Sequence, residues 1–339
     1  MTQEQLLAAA ELTADDVIQA AATLQGVAVR TPLLSSRGLG RACGVDARFK
    51  AELHQHTNAF KFRGAYNHVS GLAPSVRKRG VIGASSGNHA QALALTARLL
   101  DIKATVVVPD DCPESKISAI SAEGARIIRY RQGQDDRDRM VEELAAESGA
   151  SIVPSSNSYP VMAGNGTVAL EMLEDDPGLQ TLLVPLGGGG LAAGCATIAK
   201  ALKPEIRVIG VEPLGANDTY LSWLSGAPSF IPHASTIADG LRHQTPSARA
   251  LTVNTRLLDD VLLVSDDEIA EAMRLAFAHL KVVPEPSGAC AMAALVSGRG
   301  LSGAKGVGVV LSGGNVDWWN FRMLADPAGR ALRGDSEAS

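Results

Sequence analysis

Aromatic side chains are scarce in this chain: Phe, Trp and Tyr make up 4% of its 339 residues. That leaves few platforms on which nucleobases could stack. Charge of one sign is not in excess either. Lys and Arg number 31 and Asp and Glu 36, a net charge of −5, so nothing suggests a nucleic-acid surface. Cysteine is sparse, and Cys43, Cys112, Cys195 and Cys290 stand far apart. Without a CxxC pair they form no zinc or redox motif and read as scattered reduced thiols. No apolar run approaches the ~18 residues of a membrane span. The N-terminal MTQEQLLAAAELTADD lacks the basic-then-apolar order of a secretory leader, so a cytoplasmic location is expected.

What is present is an ordinary globular balance, 46% hydrophobic and 20% charged, at a length that fits two lobes. Glycine is the outlier, with 34 residues, where ~7% of a chain is usual. Thr13 and Asp16 form a capping-box pattern that opens a helix to about Leu24. From Val81 onward strands and helices alternate. Strands are expected at 81–84, 104–108, 126–130, 181–184, 208–211, 261–264 and 306–311. Helices are expected at 90–100, 113–123, 135–147, 166–173, 191–202, 266–280 and 287–297. This alternation implies βαβ units with parallel sheets. The irregular stretch 153–160 is the expected hinge between lobes.

Four glycine-bearing loops stand out: Ser85-Ser86-Gly87-Asn88-His89, Gly187-Gly188-Gly189-Gly190, Ala238-Asp239-Gly240 and Ser312-Gly313-Gly314-Asn315. In open α/β sheets ligands bind beyond the carboxyl ends of strands, so the loops are expected to share one crevice. The tetraglycine loop lies between an expected strand and an expected helix. Its backbone N–H groups can converge on an anion at the helix N-terminus. It has neither GxGxxG nor GxxxxGK[ST], so a lone phosphate monoester fits better than a dinucleotide. Lys61 sits between Phe60 and Phe62. A lysine kept from water has a lowered pKa and a free amine suited to Schiff-base chemistry. By spacing alone a snorkelling surface lysine is the better reading.

The segment KAELHQHTNAFKFRGA at 50–65 resembles the KxExxQxTGSFKxRGA signature of fold-type II pyridoxal-phosphate enzymes, the threonine dehydratase and serine racemase family. SSGNHAQA at 85–92, VVPDDCPESKISAI at 107–120, AGNGTVALE at 163–171, VPLGGGGL at 184–191 and VLSGGNVD at 310–317 resemble further motifs of that family, in the same order. The resemblance implies an α/β fold of two open parallel-sheet lobes of unequal size, like the β-subunit of tryptophan synthase. It places a large cofactor domain at 1–75 and 157–325, a small substrate-side domain at 80–155 and a frayed tail at 326–339. No regulatory domain is expected after SGGNVD.

The same resemblance implies the site. Lys61 would hold pyridoxal 5'-phosphate and remove the Cα proton. Phe60 would pack on the pyridine ring, and Asn88 would bind its phenolic oxygen. Gly187, Gly188, Gly189 and Gly190 would cup the phosphate, and Ser312 would face the pyridine nitrogen. Ser85, Ser86 and His89 would hold the substrate carboxylate, with Ser86 a second acid–base group in racemases. Glu212, Ala216 and Asp218 match a site for Mg²⁺ or Ca²⁺. The implied activity is a dehydratase, an ammonia-lyase turning a β-hydroxy-α-amino acid into a 2-oxo acid and ammonia, in a homodimer that binds neither nucleic acid nor membrane. A serine-type racemase is the alternative, a β-replacement enzyme a weaker rival, and a non-catalytic binding protein on the same scaffold a remote one. Three departures fall on the substrate side: Asn58 and Ala59 replace the glycine and serine of TGSFK, 154–160 reads PSSNSYP, and Asn165 replaces a glutamine. They leave threonine, serine, 3-hydroxyaspartate and a β-aryl serine as candidate substrates. Arg242 is a candidate partner for a second substrate carboxylate.

Overall fold

The computed structural model describes residues 11–131, 133–299, 301 and 304–326. Its helices in chain order are α1 (Ala14–Leu24), α2 (Arg37–Cys43), α3 (Lys61–Ser70), α4 (Pro74–Arg77), α5 (Asn88–Leu99), α6 (Glu114–Ala122), α7 (Arg137–Ser148) and α8 (Tyr159–Asp175). They continue with α9 (Gly190–Leu202), α10 (Asp218–Ser225), α11 (Ala248–Leu257), α12 (Asp266–Leu275), α13 (Pro286–Val296) and α14 (Trp318–Ala325). The strands are β1 (Leu33–Ser35), β2 (Asp46–Ala51), β3 (Val81–Ala84), β4 (Ala104–Pro109), β5 (Arg126–Tyr130), β6 (Ser151–Ile152), β7 (Thr181–Pro185), β8 (Arg207–Pro213), β9 (Asp260–Val264) and β10 (Gly306–Leu311).

Two sheets form. The larger runs β1-β2-β10-β7-β8-β9, with only β1 antiparallel to its neighbour. The smaller, β5-β4-β3-β6, is parallel and comes wholly from residues 81–152. Every residue of β7 is buried, as expected of a central parallel strand covered on both faces. Two capping boxes start helices cleanly: Thr13 with Asp16 at α1 and Ser265 with Glu268 at α12.

Several expectations need correction. α8 begins at Tyr159, not near 166, and takes the last two residues of the expected hinge. Its glycines do not break it, because they allow close helix packing. A Cβ on Gly164 would lie 2.5 Å from the Arg63 carbonyl, and one on Gly166 2.7 Å from that of Gly194. The helix after Ser265 loses α geometry at Leu275 and continues as a π turn over Ala276–Leu280. The Ala238–Gly240 loop does not follow a strand; α10 and an irregular stretch separate it from β8. The expected frayed tail, apart from Asp326, lies outside the described residues.

Beneath the cleft lies a buried ionic network. Arg63, fully buried, donates to both oxygens of Glu52 at 2.8 and 2.9 Å and to Glu171 at 2.7 Å. Lys50 joins it through Glu171 at 2.6 Å. Each buried charge thus has a partner, which is the condition for tolerating it.

Candidate active site

The chain leaves β2 through two 3₁₀ turns, in which Thr57 and Asn58 adopt positive φ of 56° and 54°. Asn58 stands where the resembled signature has glycine, and asparagine is among the residues that enter this region most readily. Ala59 then bridges to Gly313, and Phe60 N–H donates to the Ser312 carbonyl at 3.1 Å. These contacts deliver Lys61 to the first position of α3, half-buried. Its Nζ donates to the Ser155 carbonyl at 3.1 Å and lies 4.9 Å from the Phe60 ring centroid. Burial pulls the amine down to about 8, with Glu285 acting in the opposite sense. A helix N-terminus also disfavours a cation. A minor but ready fraction of the Lys61 amine is therefore neutral near physiological pH.

The tetraglycine loop joins β7 to α9, and all four glycines are buried. Gly189 caps α9 with φ +83°. A Cβ would meet His243 and Leu241 at 3.1 Å from Gly187, Ser156 Oγ at 2.6 Å from Gly188, Asn254 at 2.6 Å from Gly189 and Ser156 at 3.0 Å from Gly190. Only glycine fits these positions. Asn254 Nδ2 donates to the Gly189 carbonyl at 3.2 Å, and Thr219 Oγ1 to that of Gly187 at 2.8 Å. The loop is thus held from behind, and the first N–H groups of α9 lack intrahelical acceptors. That cradle fits a phosphate monoester.

The Ser85–His89 loop joins β3 to α5, whose N-terminus opens at Asn88. Ser85 Oγ accepts from Gly87 N–H at 3.1 Å, and Ser86 is half-buried. The His89 ring turns away, with Nε2 2.9 Å from the Val153 carbonyl. Its backbone N–H is what it offers to an anion. Asn88 Nδ2 donates to Glu285 Oε1 at 2.6 Å. Ser312 is 4% exposed, and its Oγ lies 3.4 Å from the Ser287 carbonyl.

Sequence reasoning missed three groups here. Glu285 is buried between Asn88 and Gly313, and burial together with Asp239 pushes its carboxyl up to about 7. Asn315 Nδ2 donates to Asn88 Oδ1 at 2.7 Å. His243 leans over Gly187 and Gly188, and burial with the nearby Lys61 pushes it down to about 4. Arg242 by contrast is exposed. A further tie crosses between the lobes: Lys116 on α6 pairs with Asp239 at 2.8 Å.

Glu212 and Asp218 form a separate buried pair. Glu212 accepts backbone N–H groups of Thr219 at 3.1 Å and Tyr220 at 2.7 Å. Both Asp218 oxygens are buried without a hydrogen-bond partner. Burial pushes both carboxyls up, Asp218 to about 7. Ala216 is buried beside them in the short turn Leu214–Ala216. Among the described residues no group of three or more His, Cys, Asp or Glu gathers for a metal. The Asp218 carboxylate with its two orphaned oxygens, beside Glu212, nonetheless fits a hard cation completed by carbonyl oxygen and water.

The model of a family described as pyridoxal-phosphate dependent enzymes matches residues 24–313. The chain belongs to this pyridoxal-phosphate dependent enzyme family. Among its relatives, the L-threo-3-hydroxyaspartate ammonia-lyase of Saccharomyces cerevisiae is 43% identical over 92% of this chain and 96% of its own length. The serine racemase of Schizosaccharomyces pombe is 39% identical over 90% of this chain and 94% of its own. The solved structure of maize serine racemase superposes with a TM-score of 0.88 at 36% identity, covering 97% of this chain and 99% of that one. As a pyridoxal-phosphate dependent enzyme the chain has the α/β architecture of parallel sheets that these neighbours share. No described helix is long and apolar enough to cross a membrane.

Proposed function

We propose that the protein is a pyridoxal-phosphate dependent ammonia-lyase that converts a β-hydroxy-α-amino acid, with 3-hydroxyaspartate the preferred one, to a 2-oxo acid and ammonia. The observation that carries the reading is the half-buried, pKa-lowered Lys61 amine on the Ser155 carbonyl, next to Ser156, which packs on Gly188 and Gly190 of the glycine cradle. When bound, the cofactor supplies an electron sink for the carbanion at substrate Cα. Gly187–Gly190 and the α9 N-terminus hold its phosphate, Phe60 packs on the ring, and Ser312 offers the pyridine nitrogen a neutral hydroxyl. Asn88 donates to the ring oxygen. The N–H groups at the start of α5, with Ser85 and Ser86, hold the substrate carboxylate. Lys61 Nζ takes the Cα proton, and its lowered pKa keeps enough neutral amine for that step. Hydroxide leaves Cβ as water, and after release of the enamine a second water hydrolyses its imine tautomer to the 2-oxo acid and ammonia.

The preference for 3-hydroxyaspartate rests on the yeast relative. Of Ser155, Ser156 and Ser158, the small residues behind the β-aryl candidate, Ser156 and Ser158 are buried and hydrogen-bonded to Ser247 and His68. Serine-type racemisation is the second reading, favoured by the half-buried Ser86 hydroxyl and the fission-yeast relative. Mg²⁺ or Ca²⁺ at Glu212, the Ala216 carbonyl and Asp218 belongs to the same reading as a supporting ion. So do a small substrate-side domain at 80–155 against a large one at 1–75 and 157–325, a homodimer and a cytoplasmic location. The test is to add 3-hydroxyaspartate, serine and threonine isomers to the purified holoenzyme and follow 2-oxo acid and chiral purity. Oxo acid from 3-hydroxyaspartate above the others is expected. Inverted amino acid without oxo acid would overturn the lyase reading in favour of the racemase.

A further inference from the structure

A directed chain of side-chain amides runs across the cleft. At one end the Thr57 carbonyl, which can only accept, takes a hydrogen bond from Asn315 Nδ2 at 2.7 Å. The same nitrogen donates to Asn88 Oδ1, so Asn88 must turn its own nitrogen the other way. That nitrogen donates to Glu285 Oε1 at 2.6 Å. Glu285 also accepts the backbone N–H of Asn315. A Cβ at Gly313 would overlap Glu285 Oε1 and approach Asn88 Nδ2 to 3.1 Å, so the glycine makes the room in which this acceptor sits. Asn88 belongs to α5 beside the small sheet, whereas Glu285 and Asn315 flank strands and helices of the large one.

We propose that Glu285 is a positioning residue that fixes the Asn88 amide with its nitrogen, and hence one remaining hydrogen, toward the cofactor's ring oxygen. The inference rests on the cofactor reading given above. Two donors converge on this one side chain, and a carboxylate accepts from both. A glutamine exchanges one of these two acceptor oxygens for an NH₂ donor, leaving a single acceptor for both partners. A carboxylate acceptor also makes the shorter, stronger bond. Lys61, Lys116 and Asp239 are the charged groups that act on Glu285, and Asn88 is its side-chain hydrogen-bond partner.

A double-mutant cycle on cofactor affinity tests this. Apoprotein of wild type, Glu285→Gln, Asn88→Ala and the double variant is titrated with pyridoxal phosphate, and the dissociation constant is read from the visible band. Glu285→Gln is expected to weaken binding about tenfold or more, and the double variant to bind no more weakly than Asn88→Ala alone. A merely structural role would make the two losses multiply, and that result overturns the proposal, as does unchanged affinity in Glu285→Gln. Should Glu285→Gln fail to fold, Asn315→Ala cut from the other end of the chain must show the same non-additivity with Asn88→Ala; independent losses there reject the idea. Wild type that binds no cofactor would remove the underlying reading, and is distinguished from failure of the inference by that first titration.

Discussion

His89 gives the fold a built-in sensitivity to acid. It is 3% exposed, and its Nε2 faces the Val153 carbonyl at 2.9 Å. A carbonyl only accepts, so Nε2 carries the hydrogen and Nδ1 stays unprotonated. Protonating Nδ1 would bury a charge close to Lys61. Burial first, and Lys61 second, hold the imidazole down to about 4 from an ordinary 6.5. The unfolded chain therefore takes up the proton at a higher pH than the folded one. The stability contributed by neutral His89 is complete above pH 6.5 and is lost as pH falls toward 4. At about 1.4 kcal/mol per pH unit the full loss is about 3 kcal/mol, of which about 2 kcal/mol is gone by pH 5. His89→Gln keeps a donor for Val153 and removes the titration. Urea unfolding of both proteins at pH 7.5, 6 and 5 is the assay. The variant should lose about 2 kcal/mol less than wild type between the highest and lowest pH. Equal losses would refute the reasoning, because His68, lowered in the same sense by burial, contributes equally to both.

Gly189→Ala forces a Cβ into the left-handed region and against Asn254, at a cost of about 2–4 kcal/mol, so cofactor affinity measured by absorbance titration should fall at least about thirtyfold. Arg63→Ala strands the fully buried Glu52 and should destabilise the protein by about 3–5 kcal/mol in denaturant melts, with Thr31 the one neutral partner left to it. Added Mg²⁺ or Ca²⁺ should raise the thermal midpoint of wild type but not of Asp218→Ala, since the orphaned oxygens that would bind the ion are then gone.

Local signals were legible where they carried a stereochemical signature of their own. The capping box at Thr13 and the strands Arg126–Tyr130 and Gly306–Leu311 stand where the sequence places them. The tetraglycine loop was readable because nothing but close approach explains four residues without side chains. The start of α8 was hidden because 153–160 read as an irregular hinge, and only the neighbouring helices reveal Gly164 and Gly166 as packing surfaces. β2 and α3 lay under a motif whose interest was chemical, and neither has a clear period. Glu285 had no signal at all: its partner Asn88 is 197 positions away, and a lone glutamate between prolines has no spacing to interpret. His243 was missed because its exposed neighbour Arg242 carried the more obvious charge.

The central claim is that Lys61 is the attachment point of pyridoxal phosphate. Purified protein loaded with the cofactor, reduced with borohydride and digested, should give a single pyridoxyl-modified peptide with the label on Lys61, and Lys61→Ala should give none. A label on another lysine, or no label after loading, would contradict the account.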